Sequence, residues 1–281
     1  MRPLAVVAAL VCATIVASCS SPAPTQQPAA NRPAATPLSV ALPAGEFVDL
    51  SHTYDESTIF WPTAEPFALQ KVADGDTPAG YYYAANNFSG SEHGGTHIDA
   101  PIHFARGHQT VDRIPLESLI APAVVIDVTQ ASAANADYQV TVDDLTGFEK
   151  RHGRIPAGSI VLIKTGFANR WPNPQTYLGT AERGDEAVAK LHFPGLHPDA
   201  ARWIASDRRV KAVGIDTASI DFGQSTLYES HRSLYERDIP ALENVASLDR
   251  LPPTGALLIA LPMKIGGGSG APVRVVAVIP K

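Results

Sequence analysis

The segment His93-Gly-Gly-Thr-His-Ile-Asp-Ala-Pro-Ile-His103 packs three imidazoles and a carboxylate into eleven residues, with two glycines and a proline between them. Imidazole nitrogen and carboxylate oxygen, with no thiolate, suit Zn²⁺ or Mn²⁺. Such a donor set supports metal-assisted hydrolysis. A polar loop with incidental histidines is the alternative. It leaves the glycine hinge and the in-phase aspartate without a reason.

His93, His97, Asp99 and His103 all occupy odd positions, so an extended chain carries them on one face. A helix would align His93 with His97 but throw Asp99 off that stripe. A straight strand would hold His93 and His97 roughly 13 Å apart, whereas ligands of one metal sit about 2.0–2.2 Å from it. The chain must bend between them. Gly94 and Gly95 fall at that point, and glycine admits positive φ and close backbone approach. Beyond the bend His97 and Asp99 share a face as i and i+2. Pro101 keeps residue 100 in extended space and ends the run, leaving His103 just past a turn and near the ligands.

The elements that must hold this segment are legible as short apolar, β-branched runs. Phe47–Leu50, Val124–Val128, Ile160–Lys164, Val210–Ile215, Ala256–Leu261 and Val273–Ile279 read as strands, several apolar on both faces as buried strands are. Thr141 with Asp144 forms a capping-box start for a helix over Val142–His152. Pro198 opens a second over Asp199–Arg208, and a third is expected around Leu227–Arg237. This pattern predicts a single α/β domain with a mixed β-sheet or partly closed barrel and peripheral helices.

The rest of the chain sets an address. Arg2 followed by the apolar stretch Leu4 to Val16 is too short to span a bilayer and reads as a signal segment over residues 1–19. Val16-Ala-Ser-Cys19 resembles a bacterial lipobox, with Cys19 as the lipidated residue. The only other cysteine is Cys12, inside that segment, so the domain would carry neither thiol nor disulfide. Residues 20–44, rich in Pro, Ala, Ser, Thr and Gln, read as a disordered tether. The folded domain is then 45–281, and the protein is expected to be exported and lipid-anchored to the cell membrane or envelope, touching membrane through that anchor only. A formal charge of −6 and the lack of a Lys/Arg cluster argue against nucleic acid.

The run HGGTHIDAPIHF (93–104) resembles the signature of the cyclase-like metal hydrolases, a family that includes bacterial kynurenine formamidase and isatin hydrolase. Trp61-Pro62, Lys164-Thr-Gly-Phe167, Phe193-Pro-Gly-Leu196, Gly214-Ile-Asp-Thr-Ala-Ser-Ile-Asp221, His231 with Glu243, and Leu261-Pro-Met-Lys264 resemble family sequence as well. The resemblance implies a swivelling β/β/α-type fold and metal ligation by His93, His97 and Asp99, with His103 as acid and base. It further implies His231 and Glu243 as completing ligands for one or two Zn or Mn ions per chain. A continuous helix would hold those two residues roughly 18 Å apart, so Pro240 must end the helix and let the chain return. By the same resemblance the 216–221 loop lies at the active site, with Ser219 as a substrate or water contact. Phe60 and Trp61 are expected to form an apolar wall, and the chain to form a homodimer or homotetramer.

The expected activity is cleavage of a small amide, imide or lactone, of the arylformamide or isatin type, by metal-activated water. A lipid-anchored metal or small-ligand binding protein without turnover is the competing class, and it leaves His103 without a purpose. A purely structural envelope protein leaves the whole cluster unexplained.

Overall fold

The computed structural model describes residues 45–281. The signal segment 1–19 with Cys19 and the tether 20–44 lie outside the described residues. Among the described residues twelve strands follow one another: β1 (Gly45–Asp49), β2 (Ala68–Asp76), β3 (Tyr82–Ser89), β4 (His97–Asp99), β5 (Ile120–Asp127), β6 (Gln139–Val140), β7 (Ile160–Lys164), β8 (Gly195–Leu196), β9 (Ala212–Ile215), β10 (Ala241–Glu243), β11 (Thr254–Pro262) and β12 (Gly270–Pro280).

Seven of them close a ring in the order β12-β11-β5-β7-β9-β10-β4 and back to β12. The sheet expected to be mixed is mixed: β5, β7, β9 and β10 run parallel to one another, and the remaining pairings of the ring are antiparallel. Closure depends on the length of β12. One of its edges pairs with β11 along Val273–Val278. The other takes β4 at Gly270–Pro272 and then β1 at Val276–Pro280.

Side chains along the central strands alternate between two cores. Ile160 and Leu162 join one cluster with Val125, Ile98, Leu258 and Val275. Val161 and Ile163 join another with Val124, Ile126, Val213 and Ile215, beneath the helices. Strands covered on both faces show apolar runs, which is why β7 and β9 were readable from sequence.

The helices form where their start signals lie. Thr141 and Asp144 make the reciprocal capping box of the helix Val142–His152, whose Leu145 and Phe148 are buried. The helix Pro198–Asp207 starts at its proline. The third is shorter than the spacing suggested, Glu229–Tyr235, and follows Tyr228 in the left-handed region. The β2–β3 hairpin was not predicted. It lies off the ring with nearly every residue exposed, so burial imposes no apolar rhythm on it.

His52 braces the 93–103 segment from behind. Its backbone N–H donates to Thr96 Oγ1 at 2.8 Å, and its ring stacks on Trp171 at 4.1 Å. Burial pushes its pKa down to about 4, against a weaker opposing pull from Asp49. A neutral His52 therefore contributes stability that is fully present above its ordinary value of 6.5 and is lost as pH falls towards about 4. Urea unfolding of the parent and a His52→Phe variant at pH 7.5 and pH 5 checks this. The parent should lose more stability than the variant between the two, and equal losses would refute it.

Candidate metal centre

The bend predicted at the two glycines is present. Gly95 has φ +56°, and a Cβ there would meet the Tyr54 ring at 2.6 Å. A Cβ on Gly94 would lie 2.0 Å from Phe60. Tyr54 clamps the turn by donating its hydroxyl to the carbonyls of Gly94 and Thr96. Ala100, before Pro101, is extended at φ −83° and ψ 150°, and a short 3₁₀ turn over Pro101–His103 then delivers His103.

The sheet supplies the rest. In the antiparallel pairing of β4 with β10, Glu243 stands opposite His97. In the pairing with β12, Gly270 stands opposite Asp99. The helix Glu229–Tyr235 ends before Pro240, so the return expected from that proline brings Glu243 Oε1 to 3.1 Å from His231 Nε2. Tyr235, one turn beyond His231 on the same helix, donates its hydroxyl to Asp99 Oδ2 at 2.8 Å.

Asp99 is the hub. Its Oδ1 lies 2.7 Å from His93 Nδ1 and 3.2 Å from His97 Nε2. Its Oδ2 lies 3.5 Å from His231 Nε2 and 4.0 Å from His103 Nε2. Ligand atoms of His93, Asp99 and His103 fall within 4.8 Å of one another, and so do those of His97, Asp99 and Glu243. All six residues named from sequence as ligands or catalyst thus meet at one point.

Outward partners fix the ring nitrogens. His97 Nδ1 faces the Gly95 carbonyl at 2.9 Å, which only accepts, so that nitrogen carries hydrogen. His231 Nδ1 faces the Asp221 carboxylate at 2.5 Å, and Asp221 also accepts the backbone N–H groups of Ser230 and His231. Both histidines therefore turn Nε2 inward, towards Asp99 and Glu243. Among the described residues His97 Nε2, which is buried, has no hydrogen-bond partner and lies 3.2 Å and 3.4 Å from two carboxylate oxygens. A lone pair against carboxylates calls for a cation between them, and nitrogen with oxygen donors is the set a divalent metal takes.

The electrostatics agree. Burial alone would raise the pKa of Asp99, but the surrounding imidazoles hold it well below the usual carboxylate range. Burial disfavours charge on His97 and His231, yet Asp99, Glu243 and, for His231, Asp221 raise the proton affinity of both. The field that attracts a proton there attracts a metal ion by the same physics. His103 behaves differently. Burial pushes it down to about 4, with His93, His231 and His97 working against the pull of Asp99, so it is neutral at neutral pH.

The centre opens into a cavity of about 310 Å³. Phe60, Trp61 and Ser219 line it. Phe104, Tyr228 and Asn244 line it too and were not singled out from sequence, although Phe104 ends the quoted signature. Asp216 pins the 216–221 loop by accepting from the backbone and hydroxyl of Thr165 and from Gly166.

The Cyclase family model matches residues 48–222, more than half of the chain. The chain belongs to this family. Among curated relatives, it is 34% identical to the isatin hydrolase of Roseibium aggregatum over 221 residues, 76% of this chain and 81% of that protein. It is 34% identical to the kynurenine formamidase of Salinibacter ruber over 190 residues, 66% of this chain and 76% of that protein. Among solved structures, isatin hydrolase A from Ralstonia solanacearum superposes with a TM-score of 0.75 at 37% identity, covering 83% of this chain and 92% of that one. The cyclase-family barrel is therefore this chain's fold.

A metal at this centre competes with protons for His97 and His231 and adds its binding free energy to folding. Elemental analysis of protein purified without chelator should find one or two equivalents of divalent metal, absent from His97→Ala. Chelator should lower the melting temperature of the parent and leave that of His97→Ala unmoved. Metal-free parent, even after reconstitution, would overturn the assignment.

Proposed function

We propose that this protein hydrolyses a neutral, cyclic aryl amide or imide of the isatin type, with Zn²⁺ or Mn²⁺ held by His93, His97, Asp99, His231 and Glu243. The lining of the cavity carries the choice of substrate. Among the described residues no lysine or arginine lines it, while Ile59, Phe60, Trp61, Phe104 and Tyr228 do. A zwitterionic formylated amino acid would leave its carboxylate without a lysine or arginine partner there. A planar neutral ring would bury its faces against aromatics, the usual character of a small-molecule pocket.

The residues of this chain divide the work. When bound, a divalent metal supplies Lewis acidity to the reacting carbonyl and to water. His103, neutral and 30% exposed on the cavity side, takes a proton from the water whose oxygen bonds to the carbonyl carbon. As the C–N bond breaks, His103 returns that proton to the leaving nitrogen, and the carboxylic acid product ionises to solvent. Ser219 accepts from the Asp221 N–H, which leaves its own hydrogen to donate to the carbonyl oxygen. Phe104 tilts against both Tyr228 and His231, fixing an apolar wall beside the reacting centre.

Turnover separates this from the rival reading of a binding protein without catalysis. The metal-loaded protein should hydrolyse isatin in clear preference to N-formylkynurenine, and His103→Ala should lose about 10²–10⁴-fold in kcat while keeping its metal. Preference for the formylated amino acid would refute the substrate class. Full turnover without His103 would refute its role, and no turnover on amides, imides or lactones would favour the binder. Light scattering on the same sample reads the proposed homodimer or homotetramer, for which the exposed Leu69, Tyr82, Tyr83 and Phe88 of the β2–β3 hairpin offer an apolar surface.

Export and lipid anchoring through Cys19 are also proposed, supported by the Val16-Ala-Ser-Cys19 sequence and the tether composition. Among the described residues no helix is long and apolar enough to cross a membrane. Cell fractionation should find the parent with membranes and Cys19→Ser released from them. The two partitioning alike would remove the anchor.

A further inference from the structure

We infer that Glu92 and Ser269 together set the tautomer of His93, so that its Nδ1 rather than its Nε2 serves the metal centre. They are positioning residues, acting through His93, and the inference rests on the metal-centre reading above.

His93 is turned the opposite way from its neighbours. His97 and His231 present Nε2 inward, each with Nδ1 tied to an acceptor. His93 presents Nδ1 to Asp99 Oδ1 at 2.7 Å and sends Nε2 outward to Ser269 Oγ at 2.8 Å. A serine hydroxyl is an ambiguous partner, because it both donates and accepts. If it donated to Nε2, the ring hydrogen would sit on Nδ1, where Asp99 is a ready acceptor, and no lone pair would remain for a metal.

Glu92 removes the ambiguity. Its Oε2 lies 2.7 Å from Ser269 Oγ and takes the single hydroxyl hydrogen. Ser269 Oγ can then only accept, so His93 must carry its hydrogen on Nε2 and leave Nδ1 bare. The same carboxylate oxygen accepts the backbone N–H groups of Ser269 at 2.9 Å and Gly270 at 3.3 Å, which locks it in place. The backbone is shaped for this chain of bonds. A Cβ at Gly268 would lie 2.8 Å from Glu92 Oε1, and one at Gly270 would lie 2.6 Å from His93 Cε1. Gly270 is also the residue paired with Asp99 across β4 and β12, so the group that orients the ligand stands immediately before the strand that closes the ring.

Outer partners of ligating histidines typically contribute 10–100-fold in metal affinity. The test is Zn²⁺ affinity of the full chain by competition with a chromogenic chelator, in the parent, Ser269→Ala, Glu92→Ala and Glu92→Gln. Ser269→Ala and Glu92→Ala should each bind zinc about 10–100-fold more weakly. Glu92→Gln, whose amide oxygen still takes the hydroxyl hydrogen, should stay close to the parent. Melting temperatures of the metal-free forms separate orientation from folding and should match between the parent and Ser269→Ala. In ¹⁵N-histidine NMR of the zinc-loaded parent, His93 should show its hydrogen on Nε2. Ser269→Ala binding as tightly as the parent, Glu92→Gln as weak as Glu92→Ala, or an Nδ1–H His93 would each overturn the inference. A parent that binds no zinc would instead sink the metal-centre reading and this inference with it.

Discussion

Asp99 is a carboxylate with 1% of its side chain exposed, ringed by four imidazoles and a second acid, Glu243. A buried carboxylate is costly unless its charge is answered, and Tyr235 supplies one hydrogen bond from one side. The inward nitrogens of His93, His97 and His231 bring lone pairs, which cannot answer negative charge unless they carry protons or share a cation. Everything around this point is arranged to keep those nitrogens bare. The outer acceptors (Gly95, Asp221 and the hydroxyl of Ser269) each hold a ring hydrogen on the far side. The protein alone leaves the centre electrostatically incomplete, and a divalent ion completes it.

Such a centre needs a rigid frame, because ligands must be held within fractions of an ångström. The frame is the closed ring. β4 is three residues long, too short to be stable by itself, yet it is bonded to β10 on one side and β12 on the other. Register does the positioning: Glu243 opposite His97 and Gly270 opposite Asp99 follow directly from the two ladders. A slip by one residue would reverse every side chain and destroy the site. Ring closure and metal binding therefore constrain the same three residues.

This division explains what was legible in the sequence. His93, His97 and Asp99 share one short segment, and their spacing with the glycine hinge carries the chemistry unaided. β7 and β9 were legible because parallel strands covered on both faces are apolar throughout. His231 and Glu243 were reachable only through family resemblance, since nothing local relates a helical histidine to an acid on a three-residue strand. Pro240 indicated that the chain must turn back, but not that β10 would land beside β4. Tyr235 could have been found, four residues after His231 on one helical face. Ser269 and Glu92 could not, because they meet only when β12 closes the ring 177 residues later. The β2–β3 hairpin escaped for a different reason: strand rhythm in sequence records burial, and that hairpin is not buried.

The neutral His103 and the proton-hungry His97 and His231 show how one cluster sustains two chemistries. All three imidazoles feel Asp99, yet burial and the neighbouring imidazoles lower the proton affinity of the first, while the surrounding carboxylates raise that of the other two against their burial. The difference lies in distance and in company. His103 Nε2 stands 4.0 Å from Asp99, its ring stacked on His93 at 3.9 Å, and the neighbouring imidazoles oppose a second positive charge. His97 and His231 face Glu243 as well, and Asp221 stands behind His231. Acids on the ligand side favour a cation, while imidazoles on the cavity side favour an unprotonated nitrogen. Metal retention and proton exchange are thus kept apart by which groups face which ring, and the second carboxylate on β10 is what draws the line between them.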